Sequence, residues 1–193
     1  MEPTLIGYFP KKTATRPDWL KVSHVEEICS ASECISVGPL GWIEAWEHNG
    51  NWLFNSPEVA WGVTGDAKRE FEMYAFAQYP FRLEDGQLIS EPMSSTAVVP
   101  LPENFELLGY DAVARSCGTT FECSPLSCNR GASSMTCNSH CLFDTLEAAI
   151  EGAKEFSHGP WEPGPYYVVA VYRERRGSAG RHGSGERSRT QSA

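Results

Sequence analysis

Four short motifs occur twice in this chain, in the same order, and this repetition constrains the fold more than any other feature of the sequence. The repeated motifs are LIGY at 5–8 and LLGY at 107–110, C-S-x3-C at 29–34 and 123–128, LFNSPEVA at 53–60 and LFDTLEAA at 142–149, and Y-x2-A-x-Y at 74–79 and 167–172. Their offsets of 102, 94, 89 and 93 residues fit loops of different length between equivalent elements. The pattern predicts two related modules in tandem.

Each copy predicts the element order strand, cysteine-bearing loop, strand, helix, strand. Ser56 or Asn55, followed by Pro57, has the side chain that begins a helix, because its oxygen can accept from unpaired backbone N–H groups, and the segment 144–147 has the same pattern in the second copy. The strand after each helix is clearest at 166–172, which is rich in β-formers, and its counterpart is 73–79. The strand before the first helix is predicted at 52–54, and a right-handed crossover through each helix predicts that the strands before and after it are parallel.

These elements predict an α+β fold, made of two tandem related β-(Cys loop)-β-α-β modules packed with pseudo-two-fold symmetry into one globular body. The predicted boundaries are 1–83 for the first module, 84–104 for a linker, 105–173 for the second module and 174–193 for a disordered basic tail. A module of roughly 80 residues alone buries only a marginal core, so we expect the two modules to share one core.

The charge balance bears on the class of partner. The formal net charge is −9, although the stretch from 174 to the end carries five Arg and two Glu. An acidic body repels nucleic-acid phosphates, so no nucleic-acid partner is expected. There is no apolar run of about 20 residues and no hydrophobic signal core near the start, so we expect a cytoplasmic protein with no membrane partner. Negative charge suits another protein with a basic surface, or simply solubility.

The seven cysteines allow three interpretations. Disulfides rarely persist in a reducing compartment, so thiols or metal ligands are the expected states. Internal symmetry would place Cys29, Cys34, Cys123 and Cys128 equivalently, and four thiolates at the symmetry axis could hold one tetrahedral zinc ion. Buried packing and redox or catalytic chemistry are the alternatives. Otherwise we expect no cofactor.

Two further groups of residues are candidates for binding. A cleft between the modules would carry polar and thiol side chains that could contact a ligand: Arg115, Glu122, Cys123 and Ser124 from the second module, and Cys29 and Ser30 from the first. Trp161, in a loop rich in Gly and Pro, and Trp46 are candidates for contact with a partner protein, because Trp is enriched at binding hot spots.

Glycine-rich phosphate loops, His-Glu-x-x-His and Gly-x-Ser-x-Gly are absent from the sequence, which lowers the expectation of an enzyme without removing it. We therefore expect a cytosolic acidic protein-interaction module, of an immunity or regulatory kind, that occludes a surface of its partner. An enzyme or small-ligand binder that uses the Cys/Ser/Arg-lined cleft is the first alternative. A zinc-stabilised structural protein is the second.

Overall fold

An antiparallel β-sheet of five strands organises the fold in the computed structural model, which describes residues 1–93, 97–115 and 121–175. Its strands are β1 (Thr4–Lys11), β4 (Glu72–Glu84), β5 (Gln87–Ser90), β6 (Phe105–Ala114) and β7 (Tyr166–Glu174). They lie in the order β1-β4-β7-β6, with β5 paired to the end of β4. A separate pair consists of β2 (Ala14–Thr15) and β3 (Glu27–Ile28). The mixed α+β class is confirmed.

The helices are few and mostly short. They are α1 (Pro57–Gly62), α2 (Pro125–Cys128) and α3 (Leu146–His158), together with 3-10 turns at Trp42–Ala45, Gly65–Glu70 and Gly131–Ser133. α1 packs against β1 and β4, and α3 packs against β4, β6 and β7. Among the helices of the described residues, none has the length and hydropathy needed to cross a bilayer.

The predicted parallel pairing of the strand before each helix with the strand after it is wrong, because β4 and β7, the strands after the helices, pair with their described neighbours only in the antiparallel direction. The prediction treated 52–54 as a sheet strand that leads into the helix. Trp52 instead has a φ of 58°, which interrupts an extended backbone, and Phe54 makes only isolated bridges. Each helix therefore connects two antiparallel strands, to which the crossover rule does not apply.

The two central strands, β4 and β7, are buried along most of their length. Continuous apolar runs of this kind are typical of strands that are covered on both faces. Their side chains belong to two clusters of buried apolar residues, one that includes Ala153 and Phe156 of α3 and one that includes Ala60 of α1. The two apolar clusters thus cover the sheet.

Two segments of the chain share an unusual backbone geometry. Gly7 in β1 and Gly109 in β6 both have a φ of 149°, and each lies at a register irregularity with the neighbouring strand. A Cβ atom at Gly7 would approach the Leu53 Cβ to 2.5 Å, and one at Gly109 would approach the Phe143 oxygen to 2.7 Å. Both positions therefore require glycine.

The residue after each glycine pairs with the segment before the helix. Tyr8 and Phe54 exchange two backbone hydrogen bonds, with N–O distances of 2.8 and 2.9 Å. Tyr110 and Phe143 do the same, at 2.9 and 2.8 Å. Reciprocal bonds of this kind hold the chain that precedes α1 and α3 against β1 and β6.

An asparagine closes the turn in both segments. The Asn49 side-chain amide donates to the carbonyl oxygen of Ile6 at 2.9 Å, and that of Asn138 donates to Leu108 at 2.8 Å. Each side-chain oxygen also accepts from backbone N–H groups two and four residues later in the chain. The two turns thus satisfy their backbone groups in the same way.

The predicted helix starts are confirmed. The Ser56 hydroxyl accepts from the N–H of Val59 at 3.3 Å, and the Thr145 hydroxyl accepts from Ala148 at 3.1 Å. Both hydroxyls satisfy one of the N–H groups that a helix leaves unpaired at its start.

The fourth pair of motifs is out of register with this geometry. Gly7 lies opposite Phe76 in β4, and Gly109 lies opposite Val171 in β7. The repeated Y-x2-A-x-Y motif predicts that Tyr74 corresponds to Tyr167. Counted from the residues opposite the two glycines, Tyr74 instead corresponds to position 169. The similar sequences of the two central strands therefore reflect their shared apolar environment.

The predicted boundaries stay predictions. β5 lies within the predicted linker 84–104. Of the predicted tail, residues 176–193 lie outside the described residues.

Candidate functional site

A buried carboxylate joins the two cysteine-bearing loops. Asp111, in β6, is fully buried and accepts from the hydroxyls of Ser30 at 2.8 Å and Ser124 at 2.6 Å. It also accepts from the backbone N–H of Ala31 at 2.9 Å. Burial raises the pKa of this carboxyl, while the two hydroxyls, the N–H group and the charge of Lys11 act to lower it. Two of the predicted ligand-binding residues, Ser30 and Ser124, are thus brought together by a residue that was not predicted.

A buried lysine holds the first of these loops. The Lys11 ammonium, at the end of β1, donates to the carbonyl oxygens of Ser30 at 2.7 Å and Ser32 at 2.5 Å. Burial lowers the pKa of this lysine to about 8, against the charges of Glu33 and Asp111. The first loop is therefore fixed by two hydrogen bonds to Asp111, from Ser30 and Ala31, and by the Lys11 ammonium.

Three of the four predicted metal ligands meet at the junction of the loops. The Sγ atoms of Cys34, Cys123 and Cys128 all lie within 4.8 Å of one another, and we call these three residues the thiol centre. Cys123 and Cys128 are joined in a disulfide, with Cα atoms 6.8 Å apart. Cys34 is an exposed free cysteine whose thiol donates to the Glu122 carbonyl oxygen at 3.0 Å. Burial of its thiol group raises the pKa of Cys34, although Ser32 and the charge of Lys11 lower it.

The disulfide departs from the thiols or metal ligands that we expected for all cysteines. A zinc ion needs thiolates, so these two sulfur atoms cannot be joined and ligate zinc at the same time. A metal ion could bind at the thiol centre only if the Cys123–Cys128 disulfide were reduced. Cys29, the fourth predicted ligand, lies in a different set of side chains, and the four-cysteine metal site stays a prediction.

A cleft opens beside the thiol centre. It has a volume of about 550 Å³ and is lined by Cys128, Asn129, Arg130, Pro160, Trp161 and Glu162. Trp161, predicted to contact a partner, is half-buried and packs edge-on against Phe156 at 5.6 Å between ring centroids. The negative charge of Glu162 raises the pKa of Cys34, which places this wall of the cleft near the free thiol.

Arg115 lies at the end of β6 and contacts both halves of the chain. Its guanidinium donates to the side-chain oxygens of Gln78 at 3.3 Å and Asn51 at 3.2 Å. It also stacks over the rings of Phe121 and Tyr167, at 5.9 and 5.5 Å. Burial lowers the pKa of Arg115. These contacts order the arginine, and its predicted ligand role stays a prediction.

Cys29 belongs to a network of charged side chains. Glu27 accepts from Arg173 at 2.8 Å and pairs with the Nδ1 atom of His140 at 2.6 Å. Hydrogen bonds from Arg173 and His140 lower the pKa of Glu27 against the effect of burial. The ligand atoms of Glu27, Cys29 and His140 lie within 4.8 Å of one another. The guanidinium already neutralises this carboxylate, which disfavours a metal cation here.

A second pair of thiols lies near a histidine. The Nε2 atom of His24 is 3.6 Å from the Cys137 sulfur. Hydrogen bonding with Cys141 and His24 lowers the pKa of Cys137, and the same hydrogen bond with Cys137 raises the pKa of Cys141. Cys137 and Cys141 are both buried, so a substrate cannot approach their sulfur atoms without a rearrangement.

A separate surface is formed by the segment 37–46. Val37, Leu40, Ile43 and Trp46 are exposed there, Trp46 by 85% and Leu40 fully, and we call these four residues the apolar ridge. Beside it lies a groove of about 720 Å³ whose lining includes three carboxylates and one ammonium: Glu33, Glu44, Glu70 and Lys12.

The segment that carries the apolar ridge is anchored on its inner side. Trp42 is buried and packs edge-on against Phe9 at 4.8 Å between ring centroids. The backbone N–H of Lys12 donates to the Val37 carbonyl oxygen at 2.9 Å, and the Ser36 hydroxyl donates to the Lys12 carbonyl oxygen at 2.7 Å. The ridge is therefore displayed by an attached turn.

Three functional features were not predicted from the sequence: Asp111, Lys11 and the apolar ridge apart from Trp46. A charged residue in an apolar strand, such as the Asp of GYDAVA, was the available signal for the first, since buried charges are rare unless they are paired.

Comparison of this chain with models of known protein families, with curated proteins and with solved structures finds no match. The site therefore has to be interpreted from its own chemistry.

Proposed function

We propose that this protein is an acidic protein-interaction module that binds its partner through the apolar ridge. The observation that carries this function is the exposure of four large apolar side chains on one anchored segment, beside a groove. Scattered exposed apolar residues are ordinary, whereas a contiguous group of them marks an interaction surface.

The partner we infer is a basic, amphipathic segment of another protein. The groove beside the ridge carries Glu33, Glu44 and Glu70, and its one ammonium, Lys12, is already paired with Glu70. A partner with apolar anchors flanked by Lys or Arg would complement both the ridge and this charge. A second copy of the chain, with its own net charge of −9, fits less well.

Peptide selection tests this surface. A displayed peptide library should yield, on the wild-type protein, binders in which apolar residues alternate with Lys or Arg. The double variant Leu40→Asp with Trp46→Asp should lose at least about tenfold in affinity for them, since exposed Trp and its neighbours carry most of the energy at such sites. Leu88→Asp, in the strand β5 that pairs with the end of β4, is the matched control, because Leu88 is also exposed. All three proteins should melt at similar temperatures.

Docking at the ridge is contradicted if the double variant binds the selected peptides as the wild type does, or if the selected peptides are acidic. Sedimentation of the wild type and the double variant addresses self-association. A dimer that the double variant abolishes would identify a second copy as the occupant instead. In the native host, a partner captured by the wild type and by Leu88→Asp, but not by the double variant, would support the assignment.

We also propose that the two halves of the chain arose by duplication and pack with pseudo-two-fold symmetry. In support, the matched glycines, the reciprocal bonds after them, the asparagine turns and the helix caps occur in one order in both halves. Superposition of the two halves in an experimental structure tests this relationship. Equivalent residues should coincide from 5–60 to 107–149, and unrelated paths between these landmarks would contradict it.

A further inference from the structure

We propose that the thiol centre is a thiol–disulfide exchange site, in which Cys34 attacks the Cys123–Cys128 disulfide and passes it to an external thiol that enters from the cleft beside Trp161. The substrate class is a small-molecule or protein thiol. This activity does not depend on the apolar ridge.

The geometry supplies the three sulfur atoms that exchange requires. A free, exposed cysteine lies within 4.8 Å of both sulfur atoms of a disulfide. Exchange proceeds by attack of a thiolate on one sulfur of a disulfide, so proximity of the third sulfur is the first requirement. Asp111 holds both loops by hydrogen bonds to Ser30 and Ser124, which keeps the three sulfur atoms together.

The surroundings of the disulfide select which sulfur is attacked. Cys128 is only partly buried and lines the cleft, whereas Cys123 is 6% exposed. The side-chain amide of Asn129 lies 3.6 Å from the Cys123 sulfur and can donate to it. Attack at Cys128 therefore expels Cys123 as a thiolate that already has a hydrogen-bond donor.

The exchange has three steps. The Cys34 thiol loses its proton to water, its sulfur bonds to the Cys128 sulfur, and the old S–S bond breaks with its electron pair on Cys123. An external thiolate then attacks the exposed Cys34 sulfur and releases Cys128. A second external thiolate attacks the mixed disulfide and releases Cys34. In sum, two external thiols are oxidised to one disulfide, and the protein disulfide is reduced to two thiols.

The expected cellular location makes a permanent disulfide at this site unexpected. In a reducing compartment disulfides are usually transient, and then they are catalytic or redox-sensing. A free thiol in contact with the disulfide offers a route for such turnover, whereas a purely structural cross-link needs no third cysteine.

Single-turnover reduction tests the exchange. The oxidised full-length protein is mixed with reduced glutathione, quenched with acid, alkylated and mapped by mass spectrometry. We expect Cys34→Ser to be reduced at least about tenfold more slowly than the wild type, because the intramolecular route is lost. Cys29→Ser, a free cysteine of the same loop that lies outside the thiol centre, should react as the wild type does. Glutathione should be found on Cys34.

A trapping variant separates chemistry from a structural effect. In Cys123→Ser the leaving sulfur is absent, so mild oxidation with oxidised glutathione should produce a Cys34–Cys128 disulfide in a protein with an unchanged melting temperature. Equal reduction rates for the wild type and Cys34→Ser, or no Cys34–Cys128 bond in the trapping variant, would overturn the assignment. About one zinc per chain, with all three cysteines protected from alkylation, would identify a metal centre instead.

Discussion

The loops 29–34 and 123–128 have the same cysteine spacing and the same serine after the first cysteine, yet their cysteines end in different states. The second loop winds into α2, which returns Cys128 to Cys123 and allows a disulfide. The first loop forms no helix, so Cys29 is buried near Tyr74 while Cys34 is exposed. Spacing sets which residues can meet, and the contacts of each loop decide which of them do.

Both loops bind the same carboxylate, that of Asp111, which lies outside them in β6. Ser30 and Ser124 both donate to Asp111, so the loops depend on one buried residue of β6. The two C-S-x3-C loops thus lie on two sides of one asymmetric site around Asp111.

The largest effect is expected from removing this shared acceptor. Asp111→Asn replaces one acceptor oxygen by a donor group and removes one of the two carboxylate charges, those of Glu33 and Asp111, that favour the charged form of the buried Lys11. We expect a loss of about 3 kcal/mol or more in the free energy of unfolding. Urea denaturation measures it, with Glu106→Gln, an exposed position of the same strand, as the control. A loss below about 1 kcal/mol would mean that the loops do not depend on Asp111.

The matched glycines sharpen the comparison of the two halves. Gly7→Ala and Gly109→Ala should each destabilise the protein by about 3 kcal/mol, because the added Cβ meets a packed side chain or a backbone oxygen that cannot move freely. Thermal melts of both variants test this. Gly62→Ala is the control, since its Cβ would meet nothing within 4 Å. If one of the two β-strand variants melts like the wild type, the two positions are not equivalent.

The two asparagine turns should respond alike. Asn49→Ala and Asn138→Ala each remove a side-chain amide that donates to a carbonyl oxygen and a side-chain oxygen that accepts from two backbone N–H groups. Each should lower the free energy of unfolding by about 2 kcal/mol. The Asp variants, which retain the acceptor oxygen, should lose less. Chemical denaturation compares all four. Costs that differ by more than about 1 kcal/mol between the two alanine variants would show that the turns have different roles.

A smaller effect distinguishes the two loops. Glu27, two residues before Cys29, pairs with Arg173, whereas the position 94 residues later is Phe121. Because this pairing lowers the pKa of Glu27 in the folded protein, its stabilising contribution is present above the unfolded-state pKa near 4.5 and is lost as pH falls through the folded-state pKa.

Glu27→Gln should therefore lower the free energy of unfolding by about 1 kcal/mol at pH 7, a small value because the ion pair is partly solvated. The loss should become progressively smaller in acid. Denaturation from pH 7 to pH 3 measures the difference from the wild type. Arg82→Gln, which breaks more exposed pairs with Glu84 and Glu91, serves as a comparison. A difference that grows as the solution is acidified would contradict the assigned ion pair.

Sequence patterns predicted the local features well, for reasons that lie in short-range chemistry. Ser56 and Thr145 begin helices because a hydroxyl can satisfy nearby N–H groups, and 166–172 is a strand because β-branched and aromatic residues fit a sheet. The LIGY and LLGY motifs marked a shared backbone geometry, since only glycine fits where the chain crosses so closely.

Long-range features were not accessible in the same way. Strand direction failed because Trp52, at a positive φ, ends the extended segment on which the parallel prediction depended. The separation of Cys29 from the other three cysteines follows from its packing under Tyr74 and Arg173, residues 45 and 144 positions away. No local pattern encodes such contacts.

The most direct test of this comparison is a map of the cysteine states in the protein as purified, with free thiols alkylated at lysis. We expect one peptide that joins Cys123 to Cys128, and free thiols at Cys29, Cys34, Cys137 and Cys141. A bond between Cys29 and Cys34, or free thiols at both Cys123 and Cys128 under oxidising conditions, would contradict the account of the two loops.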